Sequence, residues 1–147
     1  MRAHERLPLP DERAGSALAR ATAAALPAGA MLVLTGPLGA GKTTFVKHLA
    51  RALGSQADVT SPTYALVHEY PTPAGTLVHV DAYRLPGAAA LQGLGLDELC
   101  ERARLTVVEW GDALLAEHPE AYHLALDRAG DPDVALHGAT WRRPPGR

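Results

Sequence analysis

A three-layer α/β/α sandwich on a mainly parallel sheet is the fold class this sequence predicts, and three observations predict it. The apolar run at residues 31–35 leads into GPLGAGKT at 36–43, after which Thr44, Phe45, Val46, Leu49, Ala50 and Leu53 recur at helical spacing. Two further apolar runs each end in a carboxylate: residues 77–80 before Asp81 and residues 105–108 before Glu109. Strands alternate with helices in the first half, which calls for parallel pairing with helices on both faces. Later hairpin patterns add antiparallel strands. A glycine-rich loop of this pattern between strand and helix makes the fold that of the P-loop NTPases.

The elements follow in chain order. Asp11 caps a helix in which Ala14, Ala17, Leu18, Ala21 and Ala25 share one face, ending near Leu26 before Pro27 and Gly29. The loop strand comes next, and the helix behind it stops at Gly54. Residues 55–63 are polar and contain Pro62, so they read as an ordered loop. Extended runs at 64–70 and 76–81, separated by PTPAG, read as a β-hairpin. After a glycine-rich stretch, Leu96, Leu99, Cys100 and Ala103 suggest a short helix before the strand at 105–108, and a second short helix runs over 112–117. A last hairpin pairs 122–127 with 134–138 across RAGDPD. Residues 139–147 then form a flexible tail to one domain spanning 1–147.

Size and composition exclude several classes. The 147 residues suffice for a core without disulfide or metal staples, and Cys100 is the lone cysteine, which suits a reducing cytoplasm. A net charge of −2 without a basic run argues against a dedicated nucleic-acid surface. Arg142, Arg143 and Arg147, set among prolines, read as a frayed end rather than a binding arm. No stretch approaches the roughly 18 apolar residues that span a bilayer, and no signal-like region opens the chain. A soluble, cytoplasmic protein without membrane contact is expected.

The chemistry centres on the loop. Backbone N–H groups of Pro37's successors Leu38, Gly39, Ala40, Gly41, Lys42, Thr43 and Thr44 can turn toward a phosphate chain, helped by the partial positive charge of the helix start. Lys42, one of only two lysines, would reach the β- and γ-phosphates, and Thr43 would set its hydroxyl on Mg²⁺. Asp81 and Glu109 suit the metal side of such a site: one holds the ion, the other orients or deprotonates the attacking water. Spacing does not assign these roles. His79 points away from the face of Val78 and Val80 and reads as a packed or surface histidine. Trp110 and Tyr64 either stack on a base or partner or belong to the core, and Arg84 follows Asp81 closely enough to approach a γ-phosphate, or else only pairs with an acid. The chain holds no asparagine, so neither the guanine-reading Asn-Lys-x-Asp motif nor a kinase metal-binding asparagine is possible. Adenine nucleotide, ATP, is the expected cofactor with Mg²⁺.

GPLGAGKTTF at 36–45, TSPTY at 60–64, HVDAYRL at 79–85 and VVEW at 107–110, together with LPDE at 9–12, resemble the TsaE family, formerly YjeE. The resemblance covers roughly residues 7 to 112. It implies an ATPase component of the bacterial machinery for threonylcarbamoyladenosine at position 37 of tRNA. Such a protein joins TsaB and TsaD, meets tRNA only through that complex, and hydrolyses ATP to reset it. By the same match Thr43 and Glu109 look like the Mg²⁺ residues, Lys42 the phosphate lysine, Asp81 an acid needed for hydrolysis, and TSPTY a nucleotide-sensing loop with Trp110 near the site. The chain departs from the family at Gly15, where Thr is common, and at Pro37, where Asp is usual. Two other readings compete: a small-molecule kinase, whose lid would have to come from residues 86–95 without an arginine, and an interaction module for which ATP is only an assembly signal.

Overall fold

In the computed structural model, which describes residues 1–57, 67–82, 93 and 95–146, seven strands form one sheet in the order β1-β7-β6-β2-β5-β4-β3. The strands are β1 (Arg6–Pro8), β2 (Ala30–Thr35), β3 (Val67–Tyr70), β4 (Leu77–Asp81), β5 (Leu105–Glu109), β6 (Tyr122–Asp127) and β7 (Gly138–Arg143). The helices are α1 (Glu12–Ala25), α2 (Lys42–Ala52), α3 (Leu96–Arg102) and α4 (Leu114–Glu117). The four central strands β6, β2, β5 and β4 are parallel, and antiparallel pairs β3–β4, β6–β7 and β1–β7 extend the edges.

Strand alternation sorts the core onto two faces. Leu32, Leu34, Leu77, Leu105, Val107 and Leu124 pack with Phe45, Val46 and Leu49 of α2 and Leu18 and Ala19 of α1. Met31, Val33, Val78, Val80 and Val108 pack on the other side with Leu96 and Cys100 of α3 and Leu114 of α4. The expected α/β/α layering and the hairpin β3–β4 are thus present. Residues 64–66 of that hairpin's first run lie outside the described residues.

Three expectations need correction. The buried positions of α1 are Gly15, Leu18, Ala19, Thr22 and Ala23, followed by Leu26 after its end. This stripe lies one residue on from the expected one, a rotation of about 100°. Asp11 does cap the helix, its carboxylate accepting from Ala14 N at 2.9 Å. The last hairpin pairs β6 not with 134–138 but with Gly138–Arg143, so most of the expected tail is a strand. Trp141 is fully buried in it, and Arg143 donates to Leu115 O at 2.7 Å and His118 O at 2.9 Å, locking the strand to α4. The third concerns the chain before Asp11, where no strand is expected: β1 adds to β7, and Arg6 there donates to both carboxylate oxygens of Asp127 at 2.8 and 3.0 Å.

Candidate functional site

The parallel strands bring the candidate residues together at their carboxyl ends, where ligands bind in open α/β sheets. β4 and β5 lie in register with Asp81 opposite Glu109 and His79 opposite Val107. Because side chains alternate, His79, Asp81, Val107 and Glu109 all lie on the α2 side of the sheet. β2 ends beside them at Thr35, and the loop turns back over its own strand to start α2 at Lys42.

Two glycines make that turn possible. Gly36 has φ 145° and Gly41 has φ 93°. A Cβ at Gly36 would meet Leu126 O at 2.5 Å, and one at Gly41 would meet Ala135 O and Leu136 Cδ2 at 2.6 Å. Any side chain would therefore push the loop off the sheet and off the β6–β7 connection. Ala40 N closes the turn on Pro37 O at 3.1 Å.

Leu38, Gly39, Gly41, Lys42, Thr43, Thr44, Asp81, Glu109 and Trp110 line one cleft of about 290 Å³. Of the other predicted loop residues, Pro37 contributes its carbonyl to Lys42 and Ala40 is buried in the core. The Lys42 ammonium donates to Gly36 O at 2.6 Å and Pro37 O at 3.0 Å and lies 3.9 Å from the centre of the Trp110 ring. Burial pulls its pKa down, while the charges of Glu109, Asp112 and Asp81 act in the opposite direction. Thr43 Oγ1 donates to Glu109, with Oε2 at 3.3 Å and Oε1 at 3.5 Å. Glu109 is 3% exposed and also bonds the fully buried His79 through Oε2 and Nε2. His79 is packed, one of its two expected settings, and lies as alternation indicates on the face away from Val78 and Val80, which is that of the acids. The site is thus rich in hard oxygen donors next to a buried cation, a set that suits a phosphate chain with a Mg²⁺-like ion.

Sequence reading missed two contributors. Arg128, just past the end of β6, donates to Leu38 O at 3.2 Å across the crest of the loop. Leu136 fills the space beside Gly41 and over Gly15, where a Cβ would lie 2.6 Å from its Cδ1. It helps line a second cleft of about 370 Å³ beyond Thr44, together with Asp11, Glu12, His48 and residues 133–135. The pairing of β6 parallel to β2 would have exposed both, because it sends the β6–β7 connection over the loop. Thr60, Tyr64 and Arg84 lie outside the described residues.

A family model described as threonylcarbamoyl adenosine biosynthesis protein TsaE matches residues 9–133. The tRNA threonylcarbamoyladenosine biosynthesis protein TsaE of Bacillus subtilis is 40% identical over 116 residues, covering 78% of this chain and 72% of that one. Its Streptomyces coelicolor counterpart is 41% identical over 116 residues, covering 76% and 78%. The crystal structure of Bacillus subtilis YdiB is similar at a TM-score of 0.68 and 32% identity, over 93% of this chain and 83% of that chain. The chain, with its P-loop fold, belongs to the TsaE family of threonylcarbamoyl adenosine biosynthesis proteins.

Proposed function

We propose that this chain binds ATP with Mg²⁺ at the loop cleft and hydrolyses it as an accessory ATPase of tRNA threonylcarbamoyladenosine modification, resetting a TsaB–TsaD pair between turnovers. The observation that carries the reading is the meeting of Lys42, Thr43, Asp81 and Glu109 in one cleft. A strand-end carboxylate by itself is commonplace; two in register beside the loop threonine are what phosphoryl chemistry uses.

Thr43 and Glu109 would hold the metal, whose chemistry is to neutralise charge on the β- and γ-phosphate oxygens. Lys42 exchanges its bonds to Gly36 O and Pro37 O for phosphate oxygens, a short swing for an ammonium already inside the loop. Asp81, on the same edge, orients the attacking water and takes its proton. The cleft beyond Thr44 has the size of a small-ligand site and receives the nucleoside end. Without an asparagine in the chain, ATP is preferred over GTP. Among the described residues no helix is long and apolar enough to cross a membrane.

Hydrolysis in P-loop proteins accelerates when a partner supplies an arginine or an ordering contact, by about 10³ to 10⁵ in the best cases. The isolated chain is therefore expected to release phosphate slowly and to be strongly stimulated by purified TsaB and TsaD. Altering residues 60–64 should remove that stimulation while ATP binding persists. Full activity of the lone chain would refute the accessory role, and transfer of phosphate to a small metabolite would replace it with the kinase reading.

A further inference from the structure

His79 is fully buried on β4, between the apolar residues Val78 and Val80 of the opposite face, and among the described residues its ring makes one polar contact. That contact is Nε2 to Glu109 Oε2. Nδ1 is buried and has no hydrogen-bond partner among the described residues. A carboxylate oxygen accepts, so Nε2 is the donor in this bond. An aliphatic residue would fill this strand position without the cost of desolvating an imidazole. The ring's polar bond to Glu109 is thus what distinguishes it from the valines and leucines around it.

Among the described residues, Glu109 has two claims on it. Thr43 Oγ1 approaches both carboxylate oxygens, and His79 approaches Oε2 from the sheet side. A carboxylate held only by Thr43 could rotate about its terminal torsion, which has broad minima. With Oε2 fixed by His79, that rotation is stopped and both carboxylate oxygens stay within 3.5 Å of Thr43 Oγ1, in the wall of the cleft. We infer that His79 is a positioning residue that orients the Glu109 carboxylate for a divalent cation bound with Thr43. This deepens the proposed Mg²⁺-nucleotide reading and rests on it. Partners of this kind behind a ligating carboxylate set metal affinity by about 10- to 100-fold.

The test measures the Mg²⁺ concentration that gives the half-maximal effect on binding of a fluorescent ATP analogue, alongside nucleotide affinity in EDTA and thermal unfolding. In His79→Leu the Mg²⁺ midpoint should rise about 10- to 100-fold with the EDTA affinity within about twofold of wild type. His79→Gln, whose amide N–H reaches as far as Nε2, should restore most of the wild-type midpoint, whereas the shorter His79→Asn should not. If the Leu variant does not fold, the Gln and Asn pair decides. An unmoved midpoint in folded His79→Leu, or equal midpoints for Gln and Asn, overturns the inference alone. A wild-type chain whose nucleotide binding ignores Mg²⁺ overturns the metal reading, and this inference with it.

Discussion

The ammonium of Lys42 sits over the face of Trp110, 3.9 Å from the ring centre, and Trp110 holds that place with a backbone φ of 61°. Left-handed backbone is uncommon for an aromatic residue and is tolerated where the surroundings enforce it, often at functional sites. The turn after β5 therefore aims the indole across the loop lysine, where a cation over an aromatic face is attracted to it.

The two tryptophans of the chain then have different duties. Trp141 is fully buried and Trp110 is partly exposed in the cleft. Addition of ATP and Mg²⁺ should change the intrinsic emission through Trp110, because Lys42 leaves the ring for phosphate. Trp110→Phe should abolish the change. Lys42→Ala should weaken ATP binding at least about a hundredfold, the scale on which losing one partner of a buried charge-assisted contact is felt. Emission in Trp110→Phe that still follows nucleotide would place the reporting change at Trp141 instead.

Much of this site is written locally. The loop motif, the runs before Asp81 and Glu109 and the Asp11 cap each depend on neighbours in sequence, and each is where the pattern indicated. The α1 face is not so written: alanine occurs around the whole helix, so the apolar pattern barely fixes its rotation, and packing of Gly15 against Leu136 decides it. Strand β7 reads GATWRR, too polar to look like a strand and followed by prolines; Trp141 is its one large apolar residue. The His79–Glu109 contact spans 30 residues. It becomes visible only once β4 and β5 are paired in parallel, when alternation puts both side chains on one face.

Asp81 and Glu109 face each other across two strands, yet Glu109 is the one bonded to Thr43. Different losses are expected on removing them. Glu109→Ala should lose the Mg²⁺ dependence of nucleotide binding. Asp81→Ala should retain it while hydrolysis falls about 10²- to 10⁴-fold, the usual weight of a positioned general base. Calorimetric titration with and without Mg²⁺, paired with phosphate release, separates the two. A variant set in which Asp81→Ala loses the metal response and Glu109→Ala keeps it would reverse the assignment.

Gly41 should tolerate no side chain. At φ 93° an added Cβ carries a left-handed strain of about 1–2 kcal/mol, and it also meets the carbonyl of Ala135, which cannot swing aside as a side chain can. Gly41→Ala is expected to lower the unfolding free energy by roughly 2–4 kcal/mol and to weaken ATP binding. Gly15→Ala makes the contrast. Its Cβ meets the flexible end of Leu136, and α1 gains helix propensity, so the change should stay within about 1 kcal/mol. Urea unfolding of both variants measures the difference; equal costs would show that Leu136 is as fixed as the backbone.

Acid should act on this protein in two steps. Burial lowers the pKa of both His48 and His123 below the ordinary 6.5; Glu12 opposes this at His48, and Arg143 adds to it at His123. As pH drops past 6.5 the unfolded chain protonates these imidazoles while the folded chain resists, so the unfolded state binds more protons and stability falls. Above 6.5 both states are neutral there and the effect vanishes. Asp127 behaves differently: its hydrogen bond from Arg6 holds the carboxyl below the ordinary 3.8. The stability from that pair is complete above 3.8 and disappears only as pH falls through the folded value. Urea midpoints should therefore be flat from pH 8 to about 7, decline below 6.5, and decline again below 3.8. His123 Nε2 lies 2.7 Å from Thr35 Oγ1, and His123→Gln can keep a hydrogen bond to that hydroxyl without a titrating ring. That variant should flatten part of the first decline and leave the second untouched, and a midpoint that does not move between pH 8 and 5 in the wild-type chain would overturn the histidine account.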